Sequence, residues 1–434
     1  MRRQQLTFLQ NWKNSPYRKP LIIHGARQVG KTWLAREFGK NQYEKVAYID
    51  FLNNPRMQEL FKQDLDVDRI LQGLKAESET DIEPQNTLII LDEIQNVPEA
   101  LTALKYFYEN MPEYHIIVAG SLLGLSVNHS VSFPVGKVDF MTLRPLSFIE
   151  FIDALGEQQL LDLLNSDDTS LISMFRDRYI NLLKTYYFVG GMPEVVKMYV
   201  NTSSWNKVRR VQKDILIAYD SDFGKHAPIN IVPRICQVWN NIPAQLAKEN
   251  KKYIYSLIRE GARAKEYELA LAWLEDAGLI YKVPRVESPK IPLKSYENID
   301  AFKVYILDVG LLVAMTDLTA QTLLEGNDIF TEFKGALTEQ YVLEEMKSLD
   351  LYAAYWSRDK GSMAEVDFIS QINDQIVPIE VKAEENLQSK SLRVFYDKYQ
   401  SDTNIRTSLS DYRRDDWLTN LPLYMINQVV NRVY

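Results

Sequence analysis

A chain of 434 residues, 46% of them hydrophobic, is too long for one ordinary domain and carries apolar side chains enough for two to four separate cores. Its one cysteine, Cys236, excludes an internal disulfide framework and a cysteine-built zinc site, which fits the reducing cytoplasm expected for this chain. A formal net charge of -8 argues against whole-chain coating of nucleic acid or anionic membrane, while leaving room for a local basic face. At the start, MRRQQLTFLQNWKNSPYRKP has no apolar run of signal-peptide length, and no later segment approaches a membrane span. No membrane partner is expected.

Next in the chain, KPLIIHGARQVGKTW runs from a short apolar strand, Leu21 to Ile23, into Gly25, four intervening residues and Gly30-Lys31-Thr32, followed by a helical pattern. This is a P-loop in its strand-to-helix context, with Gly25, Ala26, Arg27, Gln28, Val29, Gly30, Lys31, Thr32 and Trp33 as the expected ATP-binding stretch. Loop amides and the positive end of the following helix would face phosphate oxygens. Lys31 would reach the β- and γ-phosphates, and Thr32 would ligate Mg²⁺. The second half of such a site is a buried strand ending in acid, and TLIILDEIQNV supplies it. Asp92 is the expected Mg²⁺ ligand, and Glu93 the group that polarises the attacking water. A third buried strand, in EYHIIVAGSLLGL, leads to Ser121, which either senses the γ-phosphate or caps a helix.

The blocks GARQVGKTW, LIILDEIQNV, IIVAGSLLG and LRPLSFIEF, together spanning most of residues 18 to 152, resemble the prokaryotic AAA+-type P-loop ATPases that carry a C-terminal domain of unknown function. The resemblance continues through GGMPEVV, FKVYILDVGLLVAM and AEVDFISQINDQIVPIEVK, and so covers nearly the whole chain. It implies an AAA+-like core, a helical lid, a winged-helix-like region and a nuclease-like C-terminal domain. Where members of that family often carry Gly-Arg, this chain has Gly136-Lys137, which leaves the source of an arginine finger open.

Residues 147 to 228 read as helices, with apolar residues at three-and-four spacing in LSFIEFIDAL, RYINLLKTYYFV and VRRVQKDILIAY. Gly190-Gly191 marks a break between two of them, either a hinge or, in the favoured reading, a tight connection. From about 230 to 315 the pattern becomes helix, a turn at Gly261, helix and short strands, the outline of a winged helix. Between Lys248 and Lys265 six basic residues stand against two acidic ones. On the winged-helix-like region Arg263, Lys265 and Lys282 are candidate phosphate contacts, with Arg263 and Lys265 the expected DNA-binding pair. The same region serves equally as a brace between domains.

In AEVDFISQINDQIVPIEVK, Asp367 and Glu380 interrupt two apolar strands, and Lys382 lies on the Glu380 face. Carboxylates converging at one end of a sheet make oxygen ligands for Mg²⁺ or Mn²⁺, and a neighbouring lysine can orient water and stabilise phosphorane charge. Asp followed by Glu-x-Lys resembles the PD-(D/E)XK nuclease superfamily. That resemblance implies a further acidic residue on an upstream helix, for which GALTEQYVLEEM offers Glu339. A structural surface pair is the alternative for Glu380 and Lys382.

The expected architecture is thus α/β: an AAA+-like ATPase core with a P-loop parallel sheet over 1–146, a helical lid over 147–228, a winged-helix-like domain over 229–320, and an α/β nuclease-like domain over 321–434. The expected function is ATP-driven action on DNA. The alternative is an ATP-dependent switch that binds a protein partner and cuts nothing. Whether the chain forms an oligomer is not readable from the sequence.

Overall fold

The computed structural model describes residues 1–120, 134–248, 251–325, 331–358, 364–385 and 388–433, in two compact units. One unit comprises residues 2–144 with 276–278, and the other comprises 145–275 with 279–434 and Met1.

The first unit is built on five parallel strands: β1 (Leu21–His24), β2 (Lys45–Asp50), β3 (Thr87–Asp92), β4 (His115–Ala119) and β5 (Asp139–Thr142), in the spatial order β2-β3-β4-β1-β5. β3 and β4 are buried along their whole length, because parallel strands covered on both faces need apolar residues on both. Ile49, Phe51, Leu74, Leu91, Leu104 and Val118 belong to the core between sheet and helices. The helix Lys31–Gln42 follows β1, and the helix Pro98–Asn110 begins with the proline that tolerates a helix start. With every strand running the same way, the loops after β1 and β3 open at one end of the sheet, the usual ligand edge of such folds.

The second unit opens with helices. Phe148–Ala154 starts in a capping box, Ser147 accepting from the Glu150 amide while Glu150 accepts from the Ser147 amide. The helices Arg176–Val189, Pro193–Thr202 and Trp205–His226 follow, as their apolar spacing predicts. The break at Gly190-Gly191 is crowded. A Cβ on Gly191 would stand 2.1 Å from the Leu146 carbonyl oxygen, and one on Gly190, at φ +75°, would stand 2.3 Å from Asp308 Oδ1. That crowding favours a tight connection over a hinge.

The helices Val232–Leu246 and Ala264–Asp276 then lead to β6 (Ile280–Val286) and β7 (Glu297–Ile306). The helix Thr331–Ser348 precedes β8 (Ala354–Ser357), β9 (Glu365–Ile372) and β10 (Gln375–Val381), and the helix Lys390–Tyr399 precedes β11 (Ile405–Ser408), β12 (Arg413–Arg414) and β13 (Thr419–Pro422). All eight strands form one mixed sheet in the order β12-β13-β11-β10-β9-β8-β6-β7. The helix–helix–hairpin order expected over 229–320 is present, but its hairpin is not a free wing. β6 pairs with β7 on one side and runs parallel to β8 on the other, so the sheet continues across the expected boundary at 320/321. β8 is paired antiparallel with β9 on one edge, and β6 satisfies the backbone groups of its other edge.

Candidate functional site

At the end of β1 the chain turns through Gly25 at φ +141°, where a Cβ would lie 2.1 Å from the Leu143 carbonyl oxygen. Only glycine fits there. Gln28 and Gly30 also adopt positive φ, and Gly30 leads directly into the helix that Lys31 begins. The Lys31 ammonium donates to the carbonyl oxygens of Gly25 at 2.8 Å and Ala26 at 2.7 Å, so the loop curls around its own lysine. Burial lowers the Lys31 pKa to about 8 despite the opposing pull of Glu93 and Asp92. Thr32 is half-buried beside it, Val29 is buried, and the Trp33 ring is exposed. Arg3 ties the N-terminus to this loop, donating to the carbonyl oxygens of Val29 at 3.4 Å and Arg144 at 2.6 Å.

Asp92 closes β3 and is 4% exposed. Its Oδ2 accepts from the Tyr48 hydroxyl at 2.9 Å, and its Oδ1 accepts from the Glu93 amide at 3.0 Å. Tyr48 in turn carries the Arg36 guanidinium over its ring at 4.5 Å. Glu93 sits at φ +53°, a conformation uncommon for a residue with a Cβ, and accepts from the Gln95 side chain. Lys137, where the resemblance to that family would place an arginine, pairs with Glu109 at 3.0 Å. Ser121 lies outside the described residues.

In the second unit Glu339, Asp367, Glu380 and Lys382 line one cavity of about 670 Å³, with Glu365, Lys252, Arg285 and Arg358 also on its wall. Three elements meet there. The helix Thr331–Ser348 brings Glu339, β9 brings Asp367, and the end of β10 brings Glu380 and Lys382. Antiparallel pairing sets Ile379 opposite Phe368, so the next step along the hairpin brings Glu380 abreast of Asp367. Asp367 Oδ2 accepts from the Val381 amide at 2.7 Å, and the Lys382 ammonium is 2.7 Å from Glu380 Oε1. Glu380 is 3% exposed, and its Oε2 has no hydrogen-bond partner among the described residues.

Glu339 is differently placed. Its Oε1 is bonded to the Lys251 ammonium, and its Oε2 accepts from the Tyr305 hydroxyl at 2.9 Å, with the Lys303 ammonium 3.8 Å away. Burial alone would raise the Glu339 pKa, but the two lysines and the bonds from Lys251 and Tyr305 hold it below the usual range. Asp367 is raised, first by burial and then by the Glu339 charge. Among the described residues no three acidic, histidine or cysteine side chains are gathered as a metal cage. Lys303 and Tyr305 belong to no motif in the sequence, and Lys251 stands out there only as one of the six basic residues between Lys248 and Lys265. Lys303 carried a signal, since it interrupts the apolar strand AFKVYI much as Asp367 interrupts its own.

Arg263 and Lys265 are exposed at the start of the helix Ala264–Asp276, whereas the Lys282 ammonium lies over the Phe302 ring at 4.5 Å. No helix among the described residues is long and apolar enough to cross a membrane.

Residues 17–152 match the family described as AAA domain. Residues 180–322 and 334–426 match two domains of unknown function, DUF8612 and DUF4143. None of the curated proteins matches the chain. Among solved structures it is similar to a Walker-type ATPase of Pyrococcus abyssi, at 16% identity over 73% of this chain and 95% of that one, with a TM-score of 0.46. It is also similar to the Aeropyrum pernix ORC1 protein solved in complex with DNA, at 13% identity over 73% and 91%, TM-score 0.28. A third is the Thermotoga maritima RuvB branch migration motor, at 12% identity over 65% and 88%, TM-score 0.30. Likeness at these values assigns neither fold nor activity. The ATP-binding assignment rests on the family match and on the strand–loop–helix geometry around Lys31.

Proposed function

We propose that this chain, whose residues 17–152 are an AAA-type ATP-binding domain, hydrolyses ATP with Mg²⁺ and acts on DNA through a nuclease-like centre in its second unit. The observation that carries the second half of this reading is the convergence of Glu339, Asp367, Glu380 and Lys382, from three elements, on one cavity whose wall also bears Lys252, Arg285 and Arg358. Carboxylates inside and cations around them suit a phosphodiester.

At the nucleotide, the loop amides face the phosphates, and Lys31 exchanges the carbonyls of Gly25 and Ala26 for β- and γ-phosphate oxygens. Glu93 orients the attacking water and accepts its proton. Thr32 and Asp92 offer hydroxyl and carboxylate oxygens, the donor set of Mg²⁺, which when bound neutralises charge building on the phosphates.

In the second unit the donor set fits a hard cation at Asp367 and at Glu380, whose buried Oε2 lacks a partner among the described residues. Mg²⁺ or Mn²⁺ held there would polarise a scissile phosphate. Lys382, fixed against Glu380, orients water and offsets negative charge on the phosphorus oxygens.

The test is Mn²⁺ titration by calorimetry beside plasmid nicking. Asp367→Ala should lose the metal, Lys382→Ala should keep it and lose nicking, and both should hydrolyse ATP at the wild-type rate because Asp367 and Lys382 belong to the other unit. Metal binding without nicking in the wild type would overturn the cleavage half. The lysines engaging Glu339 favour that second reading, an ATP-dependent switch whose C-terminal part binds a partner protein and cuts nothing.

A further inference from the structure

We propose that Lys251 is a displaceable counter-ion of Glu339, occupying by its ammonium the charge position that a divalent cation must take, so that it sets the metal affinity of the second-unit cavity. The inference rests on the metal reading above. Its basis is the unequal grip of two lysines on one carboxylate. Lys303 is 1% exposed, is carried by the edge strand β7, and has a closer partner in Glu365 at 2.6 Å than in Glu339 at 3.8 Å. Its ammonium also lies over the Tyr355 ring at 5.0 Å, so it is built in.

Lys251 belongs to no helix or strand. It stands two residues before Tyr253, whose amide donates to the Phe302 carbonyl at 2.8 Å, and reaches Glu339 through its own flexible stem. A four-carbon chain anchored at one end swings away without disturbing the sheet.

Occupancy of Glu339 favours the exchange. Its Oε1 is bonded to the Lys251 ammonium and its Oε2 accepts from the Tyr305 hydroxyl. A cation and an ammonium at bonding distance from one carboxylate oxygen repel each other, so metal entry at Glu339 and Lys251 departure are coupled. Glu380 Oε2, buried and without a partner among the described residues, is the independent sign that the cavity is shaped for a cation.

The experiment is Mn²⁺ calorimetry on the full chain, the second-unit site being the signal that Asp367→Ala removes. Lys251→Met is expected to tighten that site at least tenfold, and Lys251→Arg, which keeps the charge, to leave it near the wild type. Thermal unfolding and ATP binding report whether the variants remain folded. Amine labelling read by mass spectrometry gives a second measure without any mutation: saturating Mn²⁺ should raise the labelling of Lys251 several-fold and leave Lys303 protected. Equal Mn²⁺ affinity in wild type and Lys251→Met, or Lys251 labelling unchanged by Mn²⁺, overturns the role of Lys251 while the metal site stands. Absence of an Asp367-dependent signal in every variant overturns the metal reading and this inference with it.

Discussion

Lys31 and Glu93 make separable contributions at the nucleotide, one to binding and one to hydrolysis. Lys31→Ala should remove most ATP affinity, and Glu93→Gln should bind ATP and stall, because only the glutamate serves the water. Nucleotide binding undiminished in Lys31→Ala would refute the assignment. The lysine also predicts a pH profile. Held at about 8 in the folded chain against 10.5 ordinarily, Lys31 binds fewer protons folded than unfolded between those values, so its contribution to stability rises as pH climbs through that window. ATP needs the ammonium and restores its proton. Affinity should therefore be flat below pH 8 and fall above it, at most by roughly tenfold per pH unit. Calorimetry from pH 7 to 9.5 checks this, and a flat profile throughout would mean the ammonium is not what the phosphates meet.

At the scale of elements, the junction around Gly190-Gly191 depends on one buried acid. Asp308 starts the helix Val309–Met315 by accepting from the Leu311 amide at 2.9 Å, and accepts from the Gly191 amide at 2.6 Å. Burial raises the Asp308 pKa to about 6 although these amides pull the other way. Gly310 completes the knot, since a Cβ on it would lie 2.4 Å from the Val189 carbonyl oxygen. Gly191→Ala should consequently cost about 3 kcal/mol, the upper end of an overpacking penalty, because the atom it strikes is backbone and cannot rotate away. Chemical denaturation measures this; a loss below about 0.5 kcal/mol, the range of surface changes, would show that the junction yields as a hinge does. The glycine pair was visible in the sequence. Its reason was not, because Leu146 and Asp308 approach it only in the folded chain.

For the whole molecule, a net charge of -8 sets a weak background against which the exposed Arg263 and Lys265 must act. If they contact phosphates, neutralising both should weaken duplex DNA binding at low salt and reduce the slope of log affinity against log salt by about 2, one counterion for each contact. A fluorescence titration across salt concentrations decides it. An unchanged slope, or no DNA binding by the wild type at any salt, would leave this helix as a brace.

The sequence by itself determined what is local: a loop bounded by Gly25 and Gly30 and ending in Lys31, an acid pair closing a buried strand, and helices written in their apolar spacing. Such features need only neighbours along the chain, so their chemistry survives being read in one dimension. Tertiary structure alone decided that β6 continues a sheet with β8, because which strand fills an open edge depends on hydrogen bonds to distant segments. It alone decided that Glu339 meets Lys251, 88 residues away, and Lys303 and Tyr305 on β7. A buried carboxylate needs countercharge, but nothing along the chain says which lysine supplies it; that depends on which side chains the fold brings to the same buried point.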